Sequence, residues 1–166
     1  MFSGAVEFKL MSDEGASEPP RLGDAPQAVA LGIRTLSVEP GVATLTAPYR
    51  AELVGDPDTG VIAGGVVTTL LDHACGQAVY MALGEPTSIA TLDLRIDYMR
   101  AAEPGLDIFA RAHCYKLTRS IAFVRATAYD KDPDDPVATA QAAFMLGTRG
   151  PPAQPGDNRS EAKKAS

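Results

Sequence analysis

Residues 60–84 read GVIAGGVVTTLLDHACGQAVYMALG, and the rest of the chain is organised around them. The stretch opens on adjacent glycines, Gly64 and Gly65, then runs almost wholly apolar to Leu83. Gly84 just past its end and Pro86 beyond it are stop signals, so the pattern predicts a helix over 65–83. Its apolar residues lie on nearly every face, which predicts a buried helix. Asp72, His73 and Gln77 at its centre, without positive flanks or an aromatic belt, argue against a membrane span. A buried helix carrying one carboxylate is the feature that needs explaining.

Two readings of Asp72 compete. One is a buried acid satisfied by backbone donors or by a cation; the other is a catalytic carboxylate in a partly closed site. The glycines favour the second. A glycine at a helix start lets a ligand approach backbone N–H groups that have no partner inside the helix. Those donors, at the positive end of the helix dipole, suit a developing oxyanion. Gly64 and Asp72 are eight residues apart, however, or roughly 12 Å along a helix. An oxyanion donor and a base must both lie about 3 Å from the reacting group. Two antiparallel copies of the helix meet that condition, with Gly64 of one chain facing Asp72 of the other, so the pattern implies a symmetric dimer.

The chain has 166 residues, 45% hydrophobic and 22% charged, which suits one globular domain with a real core. Its net charge of -6, without a cluster of basic and aromatic residues, argues against a nucleic-acid partner. Two cysteines, Cys75 and Cys114, form no CxxC, and MFSGAVEFKLMSDEG lacks the basic start and apolar core of a secretory leader. A cytoplasmic protein with reduced thiols is expected, bound to no membrane.

Residues 1–24 are expected to be a flexible arm, 25–148 the folded domain and 149–166 a disordered tail rich in Pro, Ala and charge. Ala25–Leu31 suits one or two helical turns. Ile33–Val38 and Val42–Ala47 read as strands joined at Glu39-Pro40-Gly41, and Tyr49–Thr59, with Gly55, Asp56, Pro57 and Asp58, as a loop. Four further strands follow the helix: Ser88–Tyr98, Asp107–Leu117, Ile121–Asp130 and Val137–Leu146. In the first, strict alternation puts Ala90, Leu92, Leu94, Ile96 and Tyr98 on one face and Thr91, Asp93, Arg95 and Asp97 on the other. A long buried helix followed by an antiparallel meander is an α+β layout, the sheet's apolar face closing on the helix.

The segments GVIAGGVVTTLLDHACG, ATLDLRIDYMRAAEPG and TRSIAFVRATAYD, in that order, resemble the PaaI-like acyl-CoA thioesterases of the hotdog fold, over roughly Gly41 to Gly147. The resemblance implies a long central helix wrapped by an antiparallel sheet, and hydrolysis of an acyl-CoA to free acid and CoA without a cofactor. It also implies a homodimer, often paired into a homotetramer, with sites at the dimer interface. The family's catalytic carboxylate matches Asp72, and its helix-start glycine, whose N–H polarises the thioester carbonyl, matches Gly64. Its Ser/Thr that helps position water matches Thr91, which alternation places away from the helix unless a bulge re-aims it. Two positions depart from the pattern: Ala63 stands where the family has His, and Asp56 where it has Asn.

The chemistry expected is attack on the thioester carbonyl with Asp72 as general base through water or as direct nucleophile. Ala63, Gly65 and Asp56 would line the substrate site beside Gly64. Arg100 and Arg119, at strand-end or loop positions, are candidates for the phosphates of CoA, or are ordinary solvated arginines. His73 points about 100° from Asp72 and reads as a packed or hydrogen-bonded helix histidine with a possible substrate contact. His113 reads as structural, and Cys75 as a small buried hydrophobe. No His, Cys and Asp spacing makes a metal site. Two other classes remain: a non-catalytic acyl-CoA binding module, and a hotdog hydratase or dehydratase, for which His73 is badly placed.

Overall fold

The structure, a computed structural model, describes residues 25–85 and 87–147. The expected arm over 1–24 and the tail over 149–166 lie outside the described residues. A short helix α1 (Pro26–Leu31) leads into strands β1 (Arg34–Glu39) and β2 (Val42–Ala47). The expected loop contains a 3-10 turn, Ala51–Leu53, and a small ribbon of β3 (Val54–Asp56) and β4 (Val61–Ile62). Then come α2 (Gly64–Leu83), β5 (Ile89–Tyr98), β6 (Ile108–Leu117), β7 (Ile121–Tyr129) and β8 (Ala138–Leu146). The main sheet has the order β1-β2-β6-β7-β8-β5, every neighbouring pair antiparallel.

Helix α2 packs across the inner face of this sheet, chiefly on β2, β6 and β7. It can come close because the positions beneath it are small: Ala43 and Ala47 of β2, Ala110 and Ala112 of β6, Ala126 and Ala128 of β7, all buried. The bulk comes from the helix. Leu70 and Leu71 are fully buried, each stabilising the fold by about 2 kcal/mol. The helix ends at Gly84, whose φ of 69° is left-handed and whose N–H returns to Tyr80 O at 3.1 Å.

Strand β5 departs from strict alternation. Its register with β8 pairs Thr91 with Phe144 and Asp93 with Ala143, so Leu92 is the extra residue of a bulge. Before it, Ile89 and Thr91 face the helix side; after it, Leu94, Ile96 and Tyr98 do, opposite Ala142, Ala140 and Ala138. The expectation that Ala90 and Leu92 share a face with Leu94 is therefore corrected. Leu92 is 49% exposed, and Thr91 turns inward.

Candidate active site

The start of α2 is open. Its N-cap is Ala63, which has no side chain to cap the first-turn amides; Val66 N–H bonds Ala63 O at 2.9 Å, and the Gly64 and Gly65 amides have no acceptor within the helix. Neither glycine of the pair is demanded by the fold. Neither has a positive φ, and a Cβ at Gly65 would meet nothing within 4 Å. A Cβ at Gly64 would approach only the Tyr98 ring and hydroxyl, at 3.4 Å or more. Gly55 is the contrast: a Cβ there would lie 2.8 Å from Ala63 Cα, so the β3–β4 ribbon can press against the helix start only with glycine. Two glycines in a first turn cost about 1 kcal/mol each relative to alanine. What they provide is bare backbone facing outward.

Two turns further on, Asp72 is half-buried and its Oδ1 accepts a hydrogen bond from Thr91 Oγ1 at 3.0 Å. The Leu92 bulge makes this contact, since without it Thr91 would point away from the helix. Among the described residues no cation pairs with Asp72. Its neighbour Cys75 is fully buried; burial first, then the Asp72 charge and Cys114, push that thiol up to about 12. It stays protonated and is no nucleophile.

Tyr98, at the far end of β5, donates from its hydroxyl to Gly64 O at 2.7 Å and shares a 3.0 Å hydrogen bond with Thr68 Oγ1. Strand β5 thus runs antiparallel to α2 and touches it twice, at Asp72 through Thr91 and at Gly64 through Tyr98. The sequence reading did not single out Tyr98. The available signal was its place on the inward face of β5, combined with a hydroxyl.

The remaining candidates are placed as follows. His73 is buried with Nδ1 3.1 Å from Thr69 O, one turn back on its own helix. Asp56 caps the exposed β3–β4 turn, accepting from Thr59 Oγ1 at 2.7 Å and Asp58 N at 3.1 Å. Those bonds, Thr59 first, hold its carboxyl below the ordinary range. Arg100 is engaged within the protein. Its NH1 and NH2 bind Asp130 at 2.9 and 2.6 Å and also the carbonyls of Ala101 and Asp135. Its Nε lies 3.0 Å from Asp135 Oδ2, an ion-pair contact rather than an aligned hydrogen bond. The four protons of NH1 and NH2 are thus spent within the protein. Arg119 is exposed in the β6–β7 turn with no acidic partner among the described residues.

A long helix laid across an antiparallel sheet is the arrangement of the hotdog fold. The thioesterase superfamily model matches residues 59–137, which contain Gly64, Asp72, Thr91 and Tyr98. A solved protein from Pseudomonas aeruginosa is 39% identical at a TM-score of 0.69, covering 75% of this chain and 92% of that one. A variant of the phenylacetic acid degradation protein PaaI from Thermus thermophilus is 28% identical at a TM-score of 0.63, covering 72% and 97%. A protein of Halobacterium salinarum inferred to be an esterase is 37% identical over 79 residues, 46% of this chain. That match spans about half of the curated relative's length, 52%. The chain is similar to the thioesterase superfamily and, among its solved structures, to PaaI, with which it shares the hotdog fold. Among the described residues, no helix is long and apolar enough to cross a membrane.

Proposed function

We propose that the protein hydrolyses an acyl-CoA thioester to free acid and CoA, at two equivalent sites of a homodimer. The observation that carries this is the separation within one chain of Asp72, held by Thr91, from the uncapped amides at Gly64. The two are about 12 Å apart along α2. Strand β5 offers the means of joining them across a two-fold. Among the described residues it pairs with β8 on one side only, and no strand pairs with its other edge. Antiparallel pairing of two β5 edges about Arg95, with Leu92 bulged out of register, sets Thr91 opposite the partner's Tyr98. Asp72 then comes to the partner's Gly64.

In that arrangement water, activated by Asp72, adds to the thioester carbonyl carbon. The oxyanion formed is met by the partner's Gly64 N–H, and collapse expels the CoA sulfur, which leaves as the thiol. Direct attack by Asp72 gives an acyl anhydride that water then opens, with the same net balance. Arg119 is the cation for the CoA phosphates, since Arg100 is spent on Asp130. Two free cysteines, both buried, agree with a reducing, cytoplasmic location.

Complementation between two inactive variants tests the reading. Asp72→Asn removes the carboxylate. Gly64→Pro removes the amide proton at the first helical position, where proline is well tolerated. Each alone should lose at least ~10²-fold in CoA release from a panel of acyl-CoAs. Co-expressed, they form mixed dimers with one intact site, restoring up to about a quarter of wild-type activity by random pairing. No recovery in a proven mixed dimer refutes the shared site, and tight acyl-CoA binding without CoA release makes the protein a binding module.

A further inference from the structure

We infer that Tyr98 is the positioning residue of the oxyanion site: its phenol hydroxyl fixes the first turn of α2 and so aims the amide that stabilises the tetrahedral intermediate. The inference rests on the acyl-transfer reading above and assigns a role to a residue outside it.

The need for such a residue follows from the helix start. It has two consecutive glycines, the poorest helix formers short of proline. Its N-cap is an alanine that contributes no side-chain hydrogen bond. An uncapped glycine turn frays, yet an oxyanion donor must be held within about 0.5 Å of its productive position. Cohesion therefore has to come from outside the turn. The internal tie is Thr69 Oγ1 to Gly65 O at 2.9 Å, and it belongs to the same helix. Ala63 N–H is tied to Leu53 O at 2.8 Å, and Tyr98 supplies the side-chain tie to the glycine turn itself, donating to Gly64 O at 2.7 Å and meeting Thr68 Oγ1 at 3.0 Å. A tyrosine hydroxyl can donate one bond and accept another, so both contacts form at once, with Thr68 as the second donor.

The ring itself argues against a packing role. Within one chain Tyr98 is 51% exposed, so it buries little there that a smaller side chain would not. Its hydroxyl is the part that is engaged. Strand β5 places it: Tyr98 follows Leu94 and Ile96 on the inward face, and the bulge puts Thr91 on that same face. One strand thereby holds both reacting groups of a chain through two hydroxyls, Thr91 on the acid and Tyr98 on the oxyanion turn. A shift of β5 would move the two together.

Tyr98→Phe keeps the ring and deletes the hydroxyl. It should lower kcat for acyl-CoA about tenfold, the order of one lost hydrogen bond in a positioned site, with KM and Tm nearly unchanged. The separating readout is the carbonyl stretch of a bound ketone analogue in which CH2 replaces the thioester sulfur. Polarisation by the oxyanion donor lowers that frequency; Tyr98→Phe should return it toward the free value, whereas Thr91→Val should leave it unchanged. Thr68→Val, which removes only the second contact, should move kcat and the stretch in the same direction by less, and serves if Tyr98→Phe is poorly folded. Wild-type kcat and stretch in Tyr98→Phe overturn the inference, as does a fall in Tm with turnover per folded molecule intact. Full turnover by Asp72→Asn is a different failure, since it removes the acyl-transfer reading itself.

Discussion

Asp72 and Asp130 are carboxylates of one domain in opposite circumstances. Asp130 is 6% exposed and saturated: both oxygens bind Arg100, and the backbone N–H groups of Glu103 and Lys131 add 2.8 and 2.9 Å bonds. The Arg100 hydrogen bonds, assisted by the Glu103 amide, hold its carboxyl well below the usual range. Asp72 sits half-exposed with a single hydroxyl on one oxygen. A carboxylate that holds structure spends its lone pairs on the protein. One that takes a proton or attacks carbon must keep a lone pair free, and only the loosely held acid does.

Exchanging each acid for its amide should therefore give opposite results. Asp72→Asn should lower kcat by at least ~10²-fold with KM and Tm little changed, because a half-exposed acid with one neutral partner adds little to stability. Turnover and thermal unfolding measured on one preparation check it; full turnover from the folded variant would falsify the catalytic role. Asp130→Asn should do the reverse. It leaves the Arg100 guanidinium without its counter-charge and should destabilise by about 3 kcal/mol, the low end for a broken buried pair since Arg100 keeps partial exposure and Asp135. Activity per folded molecule should hold.

The same pair has a pH signature. A carboxyl held below its unfolded value contributes stability above pH ~4 that is lost as pH falls toward the folded value. Wild-type Tm should therefore fall steeply below pH ~4. The Asp130→Asn curve, lower at neutral pH, should be flatter and converge on the wild-type curve in acid. Parallel curves would assign the acid sensitivity to other groups. The smallest effect is expected at Thr91. Thr91→Val keeps the shape and frees Asp72 from its one partner, for about a tenfold loss of kcat from one charge-assisted hydrogen bond. An unchanged kcat would mean that Asp72 needs no orientation from β5.

Much of the fold was legible because its signals are local. Gly84 and the unbroken apolar run set the end and the burial of α2, and alternation with turn residues marked β1, β2 and β6 to β8 within a residue or two. The ribbon of β3 and β4 was hidden inside a glycine- and aspartate-rich segment that reads as loop. Of the site, Asp72 and the open glycine start were visible as an acid and bare backbone in an apolar helix. The inward turn of Thr91 was not, since one inserted residue at Leu92 reverses strand parity and only pairing with β8 reveals it.

The sequence by itself determined the central helix, the class of fold around it and the residues able to do chemistry. Helix periodicity, glycine stops and strand alternation are properties of neighbours along the chain. The tertiary structure decided which of those residues are free to act. Arg100 was claimed by Asp130, thirty residues away, and Tyr98 met Gly64 across thirty-four. Ala63 left the helix start uncapped where the ribbon crosses it. Each of these depends on partners that only the packing of β5 and α2 brings within hydrogen-bond reach, a distance that no pattern along the chain encodes.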